Sequence, residues 1–144
     1  MGELTGLDVS VRIMGDGLDP GLVTEKLGIA PDRAHKKGDV VVRGRGKPVG
    51  PWRTGVWIYH SDLPSTARLE DHFQAVLALF EPKAGIIQEL KDAGCTVEFY
   101  CGLFLAEWNQ GTMVSASPLG RIAALGADLS LDLYYTPEEE SQKL

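Results

Sequence analysis

The chain has 144 residues, of which 44% are hydrophobic and 24% are charged, a composition that is ordinary for one globular domain. Its net charge of −6 argues against general affinity for nucleic acid. No apolar run is long enough to span a membrane, and no leader of a basic stretch followed by an apolar one opens the chain. We therefore expect a cytoplasmic protein.

The first predicted elements are a strand and a short helix. Apolar and polar residues alternate over 7–14, which predicts a half-buried strand. Asp19 is a good helix cap, Pro20 suits the first helical position, and Gly28 is placed to end the helix in a left-handed conformation. Few apolar residues lie between them, so we expect a short helix lying on a sheet.

A basic, glycine-rich loop follows at 31–52, with room for a short strand at 40–42. Seven of the 14 lysines and arginines lie between Arg33 and Arg53, together with one acid, so this segment carries +6. The other seven cations and 19 acids give the rest of the chain −12. A loop of this length in a compact domain is usually functional or disordered, so we expect the binding surface here.

The second half of the chain alternates helices and strands. A second strand is predicted at 55–61, and a helix opened by Pro64 carries one apolar stripe: Leu69, Phe73, Val76, Leu77 and Phe80. A further helix ends at Gly94. The clearest strand follows at 95–106, and a short return strand is predicted at 112–116. A last helix starting at Ser117 and Pro118 then leads into a fourth strand at 129–135.

These elements predict an α+β fold: a mainly antiparallel sheet of four to six strands with helices packed on one face. The single domain should span 7–135, with flexible termini at 1–6 and 136–144. The cap, proline, leucine and glycine of the first short helix recur 98 positions later in the last one, so a duplicated βαβ unit is a second expectation. The uncovered sheet face should carry these side chains: Asp8, Ser10, Arg12, Glu98, Tyr100, Asp132 and Tyr134.

The sequence contains no catalytic, nucleotide-binding or metal-binding motif, and we expect no catalytic residues, metal or cofactor. The three histidines show no ligand-like spacing, and His72 is expected on the solvated side of its helix. Cys95 and Cys101 lie six residues apart in one predicted strand, about 20 Å along it, which is too far for a disulfide.

The candidate binding residues all lie in or beside the basic loop, where arginine can bind oxyanions with two hydrogen bonds and tryptophan can stack on a planar group. They are Arg33, His35, Lys36, Lys37, Asp39, Arg43, Arg45, Trp52 and Arg53.

Two hypotheses follow from this surface. The first is a non-enzymatic module that binds an acidic protein partner or a small anion. The second is a sensor or enzyme acting on a small anionic ligand, with His35 or Asp39 as its acid–base group. Nucleic acid is an unfavourable partner for either, because carboxylates on the uncovered sheet face repel phosphates. The oligomeric state is left open.

The order and spacing of several short segments resemble the bacterial domain-of-unknown-function family 4279 over most of residues 7–135. The segments are Arg12-Ile13-Met14-Gly15, Leu18-Asp19-Pro20, Leu27-Gly28-Ile29-Ala30-Pro31, Lys37-Gly38-Asp39, Trp52, the central helix, and Leu125-Gly126-Ala127 running into Asp128 to Tyr134. The resemblance implies a small bacterial cytoplasmic domain, and it supplies no catalytic residues.

Overall fold

A computed structural model of the chain describes residues 6–42 and 44–137. Within this part of the chain, no helix is both long and apolar enough to cross a bilayer. The described residues form nine regular elements. In order they are β1 (Gly6–Gly15), α1 (Pro20–Leu27), β2 (Arg33–His35), β3 (Gly55–His60), α2 (Leu69–Phe80), α3 (Ala84–Asp92), β4 (Thr96–Leu105), α4 (Ala116–Ala124) and β5 (Asp128–Tyr135), with a 3₁₀ turn at Glu81–Lys83.

The strands make one sheet in the order β2-β3-β1-β4-β5. All neighbours are antiparallel except β4 and β5, which are parallel. The predicted α+β class and mainly antiparallel sheet are confirmed. The predicted flexible termini, 1–6 and 136–144, lie for the most part outside the described residues, although Gly6 already belongs to β1.

The helices cover one face of the sheet and enclose the core. Val9, Val11 and Ile13 of β1 are almost fully buried there, and the predicted stripe of α2 packs against them. Trp57 of β3 points to the same side, and its indole N–H donates to the Thr24 hydroxyl on α1 at 3.1 Å. Burying each of these large side chains contributes roughly 1.5–3 kcal/mol, so β1 and α2 both contribute to the stability of the domain.

The first short helix is capped as its sequence predicts. The Asp19 carboxylate accepts from the Gly21 N–H at 3.1 Å, and Gly28 adopts a left-handed conformation with φ of 69°. Gly126 closes the last helix with φ of 70°. In both places the chain needs a positive φ that other residues adopt only at a cost, which explains why glycine recurs.

The predicted repeat does not extend further than this glycine. The last helix begins two residues earlier than expected, after Ser115, so Pro118 lies in its first turn and not at its first position. The strands around the first helix, β1 and β3, are antiparallel, whereas β4 and β5 are parallel. Parallel neighbours need a crossover between them, so only β4-α4-β5 forms a βαβ unit with parallel strands.

Two short segments also differ from the prediction. Residues 112–115 form irregular chain, Ala116 already belongs to α4, and no strand returns in this segment. The predicted basic loop contains β2, an edge strand of three residues that is too short to show an alternating pattern. In place of a strand at 40–42, Val41 makes an isolated pair with Val49.

His72 is buried, and its predicted solvated position is wrong. Only 1% of its surface is exposed, because positions 69, 72, 73 and 76 all fall on the inner arc of α2. Its Nδ1 lies 2.8 Å from the Ser61 hydroxyl. Burial lowers the pKa of His72 below its ordinary value, since the charged ring is disfavoured away from water.

This lowered pKa makes stability depend on pH. The unfolded chain takes up a proton at His72 before the folded chain does, so the free energy of unfolding should fall as the pH drops from about 7 towards 5. The slope contributed by one such group is at most about 1.4 kcal/mol per pH unit. Urea unfolding of the wild type and of His72→Asn should show a smaller decline for the variant. Equal slopes would mean that His72 does not titrate differently in the two states.

Candidate functional site

The predicted basic loop has two arms that are paired through backbone hydrogen bonds, and we call it the basic hairpin (described residues 36–42 and 44–53). At its base the Gly38 N–H donates to the Trp52 carbonyl at 2.8 Å, and the Trp52 N–H donates to the Asp39 carbonyl at 3.0 Å. Val41 and Val49 exchange both of their backbone hydrogen bonds at 2.8 Å. The hairpin therefore extends from the sheet with a paired stem and a glycine-rich tip.

Gly50 allows the two arms of the stem to approach closely. Its φ is 125°, and a Cβ atom at this position would lie 2.4 Å from the Asp39 carbonyl oxygen. No side chain fits in that space without moving backbone. Two residues later Trp52 makes the hydrogen bonds of the base, so the glycine and the stem geometry depend on each other.

A stacked pair of rings anchors the hairpin to the sheet. The imidazole of His35 and the indole of Trp52 are 4.5 Å apart and nearly parallel. His35 is opposite Val56 on β3, which in turn is opposite Met14 on β1, so His35 faces away from the helices. The base of the hairpin therefore packs on the uncovered face, and His35 is only 8% exposed.

Two of the candidate residues serve the structure of the hairpin. The Asp39 carboxylate accepts from the Lys36 backbone N–H at 2.9 Å and so closes the turn at the base. The Lys37 ammonium lies 3.3 Å from the Asp16 carboxylate, after β1. The pKa of Asp16 is lowered, first by a hydrogen bond from Thr54 and then by Lys37. Asp39 and Lys37 thus have partners already.

The other candidate cations are exposed and unpaired. This description applies to Arg33, Lys36, Arg45 and Arg53. In the part of the chain that the structure describes, no carboxylate oxygen lies within 4.0 Å of a side-chain nitrogen of these four residues. The same holds for Lys47 in the hairpin tip. Arg43 lies outside the described residues. These side chains keep their full positive potential for an external anion, subject to screening by salt over about 8–10 Å.

A concavity runs along the second arm of the hairpin. It is lined by residues 49–54 and by Val56, which include Trp52 and Arg53. Its lining contains one cation and no carboxylate, imidazole or thiol. Such a surface can hold an anionic or planar group, but it offers no acid–base group to a reacting ligand.

A more enclosed cavity of about 260 Å³ lies elsewhere in the fold. It is lined by Leu7, by the first turns of α2 and α4, and by the irregular chain before α4. Leu7 and Met14 stand seven residues apart on β1, about 23 Å, and the hairpin anchor lies at the Met14 end. None of the sequence-predicted site residues lines this cavity.

On the uncovered face of the sheet, several polar side chains bind one another. Arg12 lies over the ring of Tyr100 at 3.6 Å, and the Tyr100 and Tyr134 hydroxyls donate to Asp132 at 2.7 and 2.6 Å. The hydrogen bond from Tyr134, and then the one from Tyr100, lower the pKa of Asp132. Burial raises the pKa of Tyr100.

The uncovered face also contains one pair of residues that could not be predicted from the amino-acid pattern. The His60 Nδ1 lies 2.9 Å from the Asp8 carboxylate, across the β1–β3 register. The two residues are 52 positions apart, and the alternation of β3 is ambiguous because both of its faces carry large side chains. Only the strand pairing reveals that they are neighbours. The pair gives the Asp8 carboxylate a hydrogen-bond partner on the uncovered face.

The thiols offer no reactive nucleophile. Cys101 is buried in β4, and burial raises its pKa to about 12. Burial also raises the pKa of Cys95. Among the described residues, no three His, Cys, Asp or Glu side chains are grouped so that they could hold a metal ion.

Comparison with known proteins gives one match. The model of a family described as "Domain of unknown function (DUF4279)" matches residues 3–136, which confirms the family resemblance of the sequence. No curated protein and no solved structure matches the chain.

The ring stack leads to a prediction about the hairpin. Stacked aromatic pairs contribute about 0.5–1.5 kcal/mol, so Trp52→Ala should raise the population of the open hairpin and speed trypsin cleavage after Arg45 by roughly 2- to 10-fold. Mass spectrometry of timed digests measures the rate. Trp108→Ala, at a side chain that is 80% exposed, is the matched control and should leave the rate unchanged. Equal rates in both variants and the wild type would show that the stack does not hold the hairpin.

Proposed function

The chain belongs to the DUF4279 family, and because that description assigns no activity we propose a function from its own chemistry. We propose that it is a non-enzymatic binding module whose basic hairpin binds an acidic segment of a protein partner.

The observation that carries this proposal is the set of unpaired cations on an ordered support. The hairpin has a hydrogen-bonded stem, and its one acid, Asp39, is engaged by a backbone N–H. Apart from Lys37, its exposed cations have no carboxylate within 4.0 Å in the described part of the fold. A preformed positive surface on a chain of net charge −6 attracts a negative partner at little cost in chain ordering.

The arrangement of the cations favours an extended acidic chain over a small anion. Arg45 lies in the tip, and Arg53 follows the base, so the charges are spread over roughly 20 Å of hairpin. A small anion needs several donors converging on one point, whereas successive carboxylates of a peptide can each meet one cation. Trp52, at the base, can contact the apolar parts of such a peptide.

Polyanionic nucleic acid suits this surface less well. The carboxylates of Glu98 and Asp128 lie on the uncovered face from which the hairpin extends, and they would repel a phosphate backbone that followed the sheet. A non-enzymatic role is supported by the concavity of the hairpin, whose lining lacks any acid–base group.

Binding of this kind should be modest and sensitive to salt. Each exposed ion pair contributes about 0.2–1 kcal/mol, so a few of them give only weak affinity, and complementary charge acts mainly on the association rate. Specificity would then come from the apolar contacts at the hairpin base.

A labelled glutamate-rich peptide of about ten residues tests the proposal by fluorescence anisotropy at low and high salt. Arg45→Glu combined with Lys47→Glu should weaken binding at least 10-fold. Lys26→Glu combined with Lys83→Glu is the matched control, because it changes the net charge equally but on helical segments. Lys26 loses only an exposed pair with Glu89. The control should bind within about twofold of the wild type.

Equal weakening in the two variants would mean that overall charge, and not the hairpin, governs binding, and the proposal would fail. Citrate, inorganic phosphate and a short RNA serve as competitors. Displacement of the peptide by a small anion at lower concentration than by unlabelled peptide would favour a small-ligand sensor instead, and stronger competition by RNA would overturn the choice of a protein partner.

A further inference from the structure

The two edges of the sheet are very different. One edge is β2, which has three residues and leads directly into the basic hairpin. The other edge is β5, which has eight residues and pairs only with β4 in the described part of the chain. Its outer N–H and C=O groups are therefore available to a further strand. Proteins normally protect such an edge with lysine, proline, a bulge or a short length.

β5 has none of these protective features. Its sequence, DLSLDLYY, contains no lysine, arginine or proline, and its pairing with β4 runs through all eight residues without a bulge. Aspartates at positions 128 and 132 are its only charges, and Asp132 is engaged by two tyrosine hydroxyls. The strand is thus long and regular, and it has no cation, proline or bulge to keep another strand from pairing with its outer edge.

On the side of β5 that faces the helices, apolar side chains extend past the area that α4 covers. Leu129 packs on the core, but Leu131 and Leu133 are 54% and 62% exposed. Their neighbours across the register, Cys101 and Leu103, are buried. The hydrophobic layer between sheet and helices therefore continues onto β5 without a cover. Leaving two leucines in water at a sheet edge forgoes part of the free energy that burying them would contribute.

We propose that a second copy of this chain covers this edge, through antiparallel pairing of β5 with β5 about a two-fold axis. An axis perpendicular to the sheet keeps the leucines of both copies on the helix side, where they form one apolar strip. The five strands of each protomer then join in a continuous ten-stranded sheet. An isologous contact of this type requires a strand that is complementary to itself.

The sequence of β5 has this self-complementarity in one particular register. With Leu131 opposite Leu131 of the second copy, Leu129 is opposite Leu133, Ser130 is opposite Asp132, and Asp128 is opposite Tyr134. Leucines meet leucines, and each carboxylate meets a hydroxyl. A register centred on Asp132 would place two carboxylates directly opposite each other, which is destabilising. The register centred on Leu131 therefore pairs leucine with leucine and carboxylate with hydroxyl, and it is the one that we propose.

The first test is the mass of the purified protein in solution. Light scattering or sedimentation should give twice the 15.6 kDa chain mass at micromolar concentrations. Leu131→Lys combined with Leu133→Lys should give a single chain that unfolds at nearly the same temperature when measured at low concentration, since both side chains are exposed in the monomer. Leu22→Lys combined with Leu119→Lys, at exposed leucines on α1 and α4, is the matched control and should stay dimeric.

A wild type that remains a single chain up to about 100 µM would overturn the proposal. A dimer that survives the β5 double variant would overturn it equally, because the contact would then lie elsewhere.

Cysteine cross-linking tests the register. In a Cys95→Ser background, Leu131→Cys should form an intermolecular disulfide on mild oxidation, because the two positions are opposite each other on the axis. Leu133→Cys should cross-link at least 10-fold more slowly, since the two copies of that residue are about 13 Å apart in this register. The reverse order of rates would exclude this register, and no cross-linking of either variant in a dimer would exclude β5 as the contact.

Discussion

The fold depends on β1 being paired on both sides, with β3 on one edge and β4 on the other. Side chains alternate between the two faces of a strand, so this register decides which residues reach the helices. A shift of one residue would exchange Val11 with Arg12 and bury a guanidinium in the core. One strand pairing therefore has two results: apolar side chains are buried on one face of the sheet, and polar side chains lie on the other. Neither arrangement could change without the other.

The basic hairpin extends from this sheet between β2 and β3. Its stem is short of hydrophobic contacts, and it relies on backbone pairing, on the His35–Trp52 stack and on the carboxylate of Asp39. These contacts hold the cations outward at little cost to the core. The uncovered face carries carboxylates, of which Asp8 and Asp132 have hydrogen-bond partners in His60 and the tyrosines. Positive potential is thus concentrated on the hairpin, and the sheet serves as a rigid base.

The sequence predicted the parts of the fold that depend on local periodicity. The stripe of α2, the alternation in β1 and β4, and the caps of α1 could be predicted because burial repeats with the period of the element. The parallel pairing of β4 with β5 could not, since pairing is set by contacts between distant segments. The prediction for His72 was wrong because, in sequence, a polar residue on the inner arc of a helix cannot be told from one at the border of the solvated side. Its burial depends on Ser61, which lies beyond the helix.

The candidate site likewise has features that the sequence predicted and features that it could not. Exposure of Arg45 and Arg53 follows from the density of charge, which leaves too few acids nearby to pair them. The structural roles of Lys37 and Asp39 depend on a distant aspartate and on a backbone turn, so residue type alone suggested binding for both. The stack of His35 on Trp52 joins residues 17 positions apart through a strand of three residues. No periodic signal marks such a short strand.

The hairpin also bears on how many chains could assemble. A sheet with two open edges can add strands at both ends, and such an assembly has no fixed size. Here β2 has only three residues, and the chain that leaves it turns into the hairpin stem. Such a short edge offers few backbone groups to another strand. In the pairing that we propose through β5, β2 would lie at each end of the joined sheet, so the insertion would favour a finite assembly with its two positive surfaces at opposite ends.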